Sequence, residues 1–150
     1  MRRRYKRELY QERIETIKSL MPDCGIGVDV IVGFPSEKDE DFQDTFEFLH
    51  ALDVSYLHVF TYSERANTKA LEIKEVVPVH VRNERNKILR NLSYQKMQYF
   101  RNQQLGKIRP VLFEQQEKNG MLEGYTDNYI RIASPYQKTL EHQIIDWEIR

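Results

Sequence analysis

The first two-thirds of the chain alternates between helical and strand-like patterns of apolar residues. A helix is predicted over residues 3–21 because apolar side chains recur every three or four positions, at Tyr10, Ile14, Ile17 and Met21. The run GIGVDVIVGF (25–34) is apolar and β-branched and lacks clean alternation. Such a run is typical of a parallel strand that is covered on both faces.

A strand–helix–strand unit is predicted from residue 25 to residue 62. The segment PSEKDEDF opens the helix, with Ser36 at its N-cap three residues before Asp39, and its buried stripe is Phe42, Phe46 and Leu49. The second strand is VSYLHVFTY (54–62). Crossovers between strands of one sheet are right-handed and make the strands parallel, so we expect a parallel pair.

A long basic helix is predicted over residues 79–104, with Ile88, Leu92 and Tyr99 on one stripe. The pattern changes after Gly106 to short strands with turn signals. Asn119-Gly120 is the preferred dipeptide of a type I′ hairpin turn, and Asp127-Asn128 is a weaker turn signal. With closing strands between Thr139 and Ile149, residues 106–150 are expected to form a small antiparallel β-barrel.

The parallel part of the chain is expected to be incomplete. Two parallel strands with three helices do not make a stable sheet, because three or more strands are normally required. We therefore expect residues 1–105 to be half of a larger α/β domain. That piece alone should be marginally stable or should associate through its exposed strand edge.

Composition narrows the classes of function. The chain has 40% hydrophobic residues and a formal net charge of zero, and it contains no apolar run long enough for a transmembrane helix. A cysteine count of one predicts a reduced, cytoplasmic setting. The single cysteine, Cys24, excludes an internal disulfide and a cysteine-based cluster site built by this chain alone. Residues 82–109 hold eight basic residues and one acid, which favours contact with a polyanion.

Four segments resemble the radical-SAM tRNA methylthiotransferases (MiaB/MtaB-like). GVDVIVGFPSEKDEDF is similar to their Gly-x-Asp-x-Ile-Val-Gly-Phe-Pro-Gly-Glu-Thr-x-x-Asp-Phe pattern. LHVFTYSERANTKA resembles their Leu-His-Val-Phe-x-Tyr-Ser-x-Arg-x-Gly-Thr-x-Ala segment, and GYTDNYIRI resembles the appended TRAM domain. MRRRY resembles the start of the helix before these segments, and this start together with Leu-His-Val-Phe is most similar to the subfamily that acts on threonylcarbamoyladenosine.

The resemblance implies a fold and a chemistry. It implies the C-terminal half of a radical-SAM (β/α) partial TIM-type barrel over residues 1–105, followed by an OB-like TRAM domain over 106–150. In the family, a Cys-x-x-x-Cys-x-x-Cys loop holds a [4Fe–4S] cluster that cleaves S-adenosylmethionine, and a second cluster lies in an N-terminal domain. None of those cysteines is present, so the resemblance implies no catalysis by this chain alone. The implied partners are the tRNA anticodon stem-loop and the remaining N-terminal part of the enzyme.

Cofactor contacts are expected at residues that match the family motifs. The candidates are Asp29, Gly33, Phe34, Pro35, Tyr62 and Arg65. Asp29 lies inside an apolar strand, where an unpaired buried carboxylate is costly, so a structural ion pair is its alternative role. Gly33 to Pro35 follow a strand at its C-terminal end, where α/β barrels place their sites; a simple tight turn is the alternative. His58 shares a strand face with Tyr56 and Phe60 and reads as a core residue or a site residue.

RNA contacts are expected on the basic helix and on the β-module. Phosphate contacts are predicted for Arg82, Arg85, Lys87, Arg90 or Arg101, although a charge run is also typical of a solvated helix face. In the β-module the candidates are Phe113, Tyr125, Asn128, Tyr129 and Arg131, which offer stacking surface, amide donors and charge. At least one of Phe113 and Tyr129 is expected to be barrel core. Two functions remain open: part of a methylthiotransferase, or a stand-alone RNA-binding module without chemistry. Another radical-SAM class is less favoured, because of the TRAM-like segment.

Overall fold

The computed structural model describes residues 6–118 and 120–150, with backbone only at 115–118. The chain forms two compact units. The first contains residues 6–22 and 26–98, and the second contains 23–25 and 99–150. The MRRRY segment and Asn119 of the predicted hairpin turn lie outside the described residues.

The first unit is a parallel strand pair with three helices. Its elements are α1 (Arg7–Leu20), β1 (Gly27–Val32), α2 (Asp39–Ala51), β2 (Tyr56–Thr61) and α3 (Val79–Asn102), with a short 3-10 turn at Lys69–Glu72. The predicted parallel pairing is confirmed, with Gly27 opposite Tyr56 and Val32 opposite Thr61. The last turn of α3 belongs to the second unit.

One face of the β1–β2 pair forms the core of the first unit. Val28, Val32 and Leu57 are buried and pack with Ile14 of α1, Leu49 of α2 and residues of α3. The other face presents exposed residues, so the described residues cover this strand pair on one face only. The reason is that the helices of this unit pack on one side of a sheet that has only two strands among the described residues.

Helix α2 begins two residues later than its capping pattern predicts. The N-cap is Lys38, whose backbone N–H donates to Asp41 Oδ2 at 2.9 Å. Ser36 instead lies in the preceding turn with a φ of 68°, and its N–H donates to the carbonyl of Glu75. The Ser36 N-cap prediction is therefore wrong, because a long-range backbone hydrogen bond fixes this turn.

The buried stripe of α3 differs from the predicted one. Leu89, Leu92 and Phe100 are buried, whereas Ile88 and Tyr99 are exposed. The stripe continues toward the N-terminus through Arg82 and Arg85, which are 4% and 5% exposed. Apolar periodicity does not predict this buried face, because two of its buried positions are arginines.

The second unit is an antiparallel four-stranded sheet, as the turn signals predict. Its strands are β3 (Ile108–Lys118), β4 (Met121–Thr126), β5 (Arg131–Pro135) and β6 (Ile144–Glu148), in the spatial order β5-β4-β3-β6. Inward residues alternate with outward ones. The core of this unit contains Val111, Phe113 and Leu122 with Phe100 from the last turn of α3, which confirms Phe113 as a core residue.

Both predicted hairpins are present. Lys118 pairs with Met121 across the first one, and Gly120 has a φ of 76°, as a left-handed turn position requires. The second hairpin joins β4 to β5 through the turn at residues 127–130. Within the described residues, no helix is long and apolar enough to cross a membrane.

Candidate functional site

The open face of the first unit carries three side chains from each strand. Gly27, Asp29 and Ile31 of β1 lie beside Tyr56, His58 and Phe60 of β2 in register. Asp29 is exposed on this face, so within this chain it is not the buried carboxylate that its apolar strand suggested. The Tyr56 ring covers Gly27, where an added Cβ would lie 2.5 Å from the ring. Tyr56 also meets His58 edge to face at 4.9 Å.

The two strand ends come together through an aromatic pair. Phe34, which follows β1, meets Tyr62, which follows β2, edge to face with ring centroids 5.3 Å apart. Pro35, the residue that follows Phe34, is buried. Within the described part of the chain, the Tyr62 hydroxyl is buried without a hydrogen-bond partner. Four of the six predicted cofactor residues therefore lie at one edge of the sheet, as the carboxyl ends of parallel strands require.

Arg82 joins the loops that follow the two strands. Its guanidinium donates to the carbonyls of Val77 (2.7 Å) and Tyr62 (3.0 Å) and to Glu64. Its aliphatic stem fills the space beside Gly33, where a Cβ would lie 2.4 Å from Arg82 Cγ. At a φ of 76°, Gly33 is required by both backbone conformation and close packing.

Glu37 and Arg85 fix the loop after β1. The Glu37 carboxylate accepts the Gly33 N–H at 3.0 and 3.1 Å and pairs with Arg85 at 2.7 Å. Arg85 also pairs with Asp39 at 2.6 Å. The Gly33 N–H is thus engaged within the fold, and the guanidinium of Arg85 is occupied by carboxylates.

The remaining basic candidates are more accessible. Arg90 is exposed and lines a cleft of about 370 Å³ with His58, Phe60 and Tyr94, whereas Arg101 is half-buried. Arg65 lies in an exposed loop, where its carbonyl accepts the Thr68 hydroxyl. Among the described residues, Arg65 makes no hydrogen bond, ion pair or ring contact with the Phe34–Tyr62 pair.

The outer edge of β2 is occupied by side chains of α3. The Ser93 hydroxyl accepts the Leu57 N–H at 2.8 Å and donates to the Leu57 carbonyl at 2.9 Å. The Asn86 amide donates to the carbonyl of Val59 at 3.2 Å. The outer edge of β1, by contrast, has no strand partner among the described residues.

The β-module candidates divide into exposed rings and a buried amide. Tyr125 and Tyr129 are 37% and 79% exposed, with ring centroids 6.0 Å apart. Arg131 is exposed and pairs with Glu123. Asn128 is only 8% exposed: its amide donates to the Asp23 carbonyl and to Gln104, and its oxygen accepts the Thr126 hydroxyl.

A polar network within the second unit holds the turn that contains Asn128. Asp23 pairs with Lys107 at 2.6 Å and with Arg109 at 2.8 Å, and Arg109 also binds Asp127. Gln104, 1% exposed, donates to Asp23 and accepts from Arg109. Hydrogen bonds from Lys107 and Gln104 lower the pKa of Asp23 to about 2.

The residues present do not fit an iron–sulfur cluster. The chain has one cysteine, and among the described residues no group of three His, Cys, Asp or Glu side chains could hold a metal ion. The open face and the Phe34–Tyr62 edge are lined by aromatic side chains, and the open face also carries the Asp29 carboxylate.

Curated proteins similar to this chain are tRNA-modifying enzymes. One from Aquifex aeolicus (strain VF5), named threonylcarbamoyladenosine tRNA methylthiotransferase MtaB, is 44% identical over 88% of this chain and 31% of its own length. The protein of that name in Bacillus subtilis (strain 168) is 36% identical over 89% of this chain and 30% of its own length. The chain corresponds to part of a MiaB/MtaB-like tRNA methylthiotransferase.

The names of the MiaB/MtaB-like relatives give more than one substrate. A protein from Helicobacter pylori (strain G27), named tRNA-2-methylthio-N(6)-dimethylallyladenosine synthase, is 36% identical over 99% of this chain and 35% of its own length. The chain thus spans about a third of the length of these relatives. No protein-family model matches the chain.

Sequence reasoning missed the residues that hold the sites in place. Glu37, Gln104 and Asp23 were not singled out, and Arg82 and Arg85 were interpreted as surface cations. A usable signal existed for α3: Arg82, Arg85, Leu89, Leu92 and Lys96 follow the three-and-four spacing of one buried face.

Proposed function

We propose that this chain is a C-terminal part of a radical-SAM enzyme that adds a methylthio group to threonylcarbamoyladenosine beside the tRNA anticodon. The observation that carries the proposal is the 44% identity over 88% of the chain to the Aquifex aeolicus methylthiotransferase. The enzyme acts in the cytoplasm on the anticodon stem-loop, with S-adenosylmethionine and [4Fe–4S] clusters as its cofactors. The cluster ligands belong to the rest of the enzyme.

Residues 1–105 are proposed as the second half of the α/β barrel. The exposed face with Asp29 and His58 then forms part of the barrel interior, and the remaining strands add along β1. Two observations support this direction: α3 side chains occupy the outer edge of β2, and β1 has no further strand partner in the described residues.

The strand-end residues are proposed to line the cofactor pocket. In this arrangement Gly33, Phe34, Pro35 and Tyr62 supply its wall, and Asp29 and Arg65 supply polar contacts. The buried Tyr62 hydroxyl has a donor to offer to a ligand at this edge. S-adenosylmethionine would supply the radical chemistry when bound, and the residues of this chain would bind and orient it.

Residues 106–150 are proposed as a TRAM-like, OB-like domain that binds tRNA. The exposed rings of Tyr125 and Tyr129 support base contacts, and Arg131, which is exposed and pairs with Glu123, lies beside them. Arg90 and Arg101 are proposed as phosphate contacts. Asn128 and Arg85 are proposed to support RNA binding indirectly. Both are bound within the fold, where they hold their loops in place.

Mass spectrometry of tRNA nucleosides tests the function. Deletion of the gene should abolish 2-methylthio-threonylcarbamoyladenosine, and the whole gene should restore it. Restoration should fail with Asp29→Ala, whereas Asp44→Ala, which removes an exposed carboxylate from α2, should restore it fully. Loss of the dimethylallyladenosine derivative instead would reassign the substrate.

The alternative is an RNA-binding module without catalysis. The single cysteine and the exposed tyrosine pair favour it. An unchanged nucleoside profile after deletion, with RNA binding by the chain retained, would select this alternative. A cysteine triplet of cluster-binding spacing encoded in frame upstream would exclude it.

A further inference from the structure

The outward face of the four-stranded sheet carries one row of side chains across all its strands. Strand register places Arg131 opposite Tyr125, Tyr125 opposite Leu112, and Leu112 opposite Ile144. Leu112 and Ile144 are 46% and 71% exposed. Such a continuous apolar and aromatic row on a small sheet is unusual for a solvent face, since outward positions of antiparallel strands are normally polar.

Tyr129 extends this row under backbone strain. Its φ is 69°, a left-handed conformation that is strained for a non-glycine residue. Its ring is mostly exposed and is tilted by 49° to that of Tyr125. A cleft of about 440 Å³ lies beside both rings and is also lined by Pro110, Leu112 and Ile144.

The conformation of this turn is held from the inside. The buried Asn128 amide is anchored by Asp23 and Gln104, and Thr126 accepts the Ile130 N–H through its hydroxyl. Arg109 binds Asp127 on the other side of the turn. The backbone that presents Tyr129 is therefore fixed before any ligand arrives, which lowers the entropic cost of binding.

The charges around the cleft disfavour a phosphate. Glu114 lines it together with Asp127, which pairs with Arg109, and the cation at the end of the row, Arg131, is paired with Glu123. Carboxylates repel a phosphate but accept hydrogen bonds from the exocyclic amino groups of nucleobases. Open aromatic faces with an acidic rim thus match the ring of a base better than the backbone of the RNA.

We propose that the row Tyr129–Tyr125–Leu112–Ile144 is a stacking subsite for one unpaired nucleobase of the RNA. This inference rests on the proposed tRNA-binding function and specifies which part of the RNA the second unit contacts. The base lies against the exposed tyrosine rings, with Leu112 and Ile144 as the apolar floor. Base–aromatic stacking tolerates any sequence, so this subsite recognises an unpaired strand rather than a particular base.

Fluorescence anisotropy with the full chain tests the subsite. The probes are a tRNA anticodon hairpin with an unpaired loop and a fully paired duplex of the same length. The wild type should prefer the hairpin. Tyr129→Ala should weaken hairpin binding about tenfold and remove that preference. Tyr129→Phe keeps the ring and should bind as the wild type does. Ile108→Ala is the matched control, because it shortens an exposed side chain of β3 outside the row.

Tyr129→Gly separates binding from folding. Glycine relieves the left-handed strain, so this variant should be at least as thermally stable as the wild type and should still lose hairpin binding. Hairpin binding that survives both Tyr125→Ala and Tyr129→Gly overturns the subsite and leaves the proposed function intact. A wild-type chain that binds neither RNA overturns the subsite and the tRNA-binding role, while the nucleoside profile decides the enzymatic function separately.

Discussion

Single polar side chains decide the local geometry at both candidate sites. The Glu37 carboxylate positions Gly33 through its backbone N–H, and the Asn128 amide positions the turn that presents Tyr129. Each group is bound by partners distant in sequence, such as Arg85 for Glu37 and Asp23 for Asn128. Their removal would leave buried polar groups unpaired, which costs more than the loss of an exposed contact.

Replacing Asp23 should change the response of the chain to acid. The lowered pKa means that the folded state binds this proton more weakly than the unfolded chain, whose Asp pKa is about 3.9. Asp23 therefore stabilises the fold above about pH 4 and loses this effect as the pH falls toward 2. At pH 7, Asp23→Asn should lower the free energy of unfolding by up to about 1 kcal/mol, because the carboxylate is partly exposed and screened by water.

Denaturant unfolding of both proteins between pH 7 and pH 2 measures this effect. The difference in unfolding free energy should shrink between about pH 4 and pH 2. Asp44→Asn serves as the control for the change in net charge. A difference between wild type and Asp23→Asn that stays constant across this range would contradict the ion-pair role of Asp23.

Helix α3 shows how far local patterns predict an element. Its existence and length follow from composition and spacing, and the parallel and antiparallel pairings follow from the strand patterns and turn residues. Its buried face does not, because Arg82 and Arg85 are buried by carboxylate and carbonyl partners on other elements. The prediction of where α2 begins is wrong for the same reason, because the carbonyl of Glu75, 39 positions after Ser36, accepts the Ser36 N–H.

Substitution by glutamine should have different effects at Arg85 and at Arg90. Arg85→Gln leaves the Glu37 carboxylate without its guanidinium partner and should lower the unfolding free energy by about 3 kcal/mol. Arg90→Gln changes an exposed side chain and should alter stability by less than about 0.5 kcal/mol while weakening RNA binding. Thermal unfolding and anisotropy distinguish these effects. A stable Arg85→Gln variant with impaired RNA binding would restore Arg85 as a phosphate contact.

Among the described residues, the first unit leaves the open face of its sheet and the outer edge of β1 uncovered. Ile31 and Phe60 are 41% and 51% exposed on the open face of the first unit. We expect the isolated chain to self-associate in a concentration-dependent way, because such surfaces are normally buried. Sedimentation velocity should show less association for Ile31→Lys than for Leu20→Lys, which changes an exposed leucine at the end of α1. Equal association of the two variants would place the contact elsewhere.

Salt dependence separates the two kinds of RNA contact that the chain offers. Net charge is zero, and Arg82 and Arg85 are buried in the fold, so few cations of α3 remain to meet phosphates. Contacts from Lys87, Arg90 and Arg101 predict that the logarithm of the binding constant falls with the logarithm of salt at a slope of about −2, at about −0.7 for each single-strand phosphate.

The two classes of variant should then shift this line differently. Arg90→Gln removes one phosphate contact, so it should make the slope shallower by about 0.7. Tyr129→Ala removes stacking and no charge, so it should lower affinity at every salt concentration and leave the slope unchanged. Anisotropy titrations of the anticodon hairpin from low to physiological salt measure both. A slope change with Tyr129→Ala would mean that the ring acts by positioning a cation, and the stacking role would then be wrong.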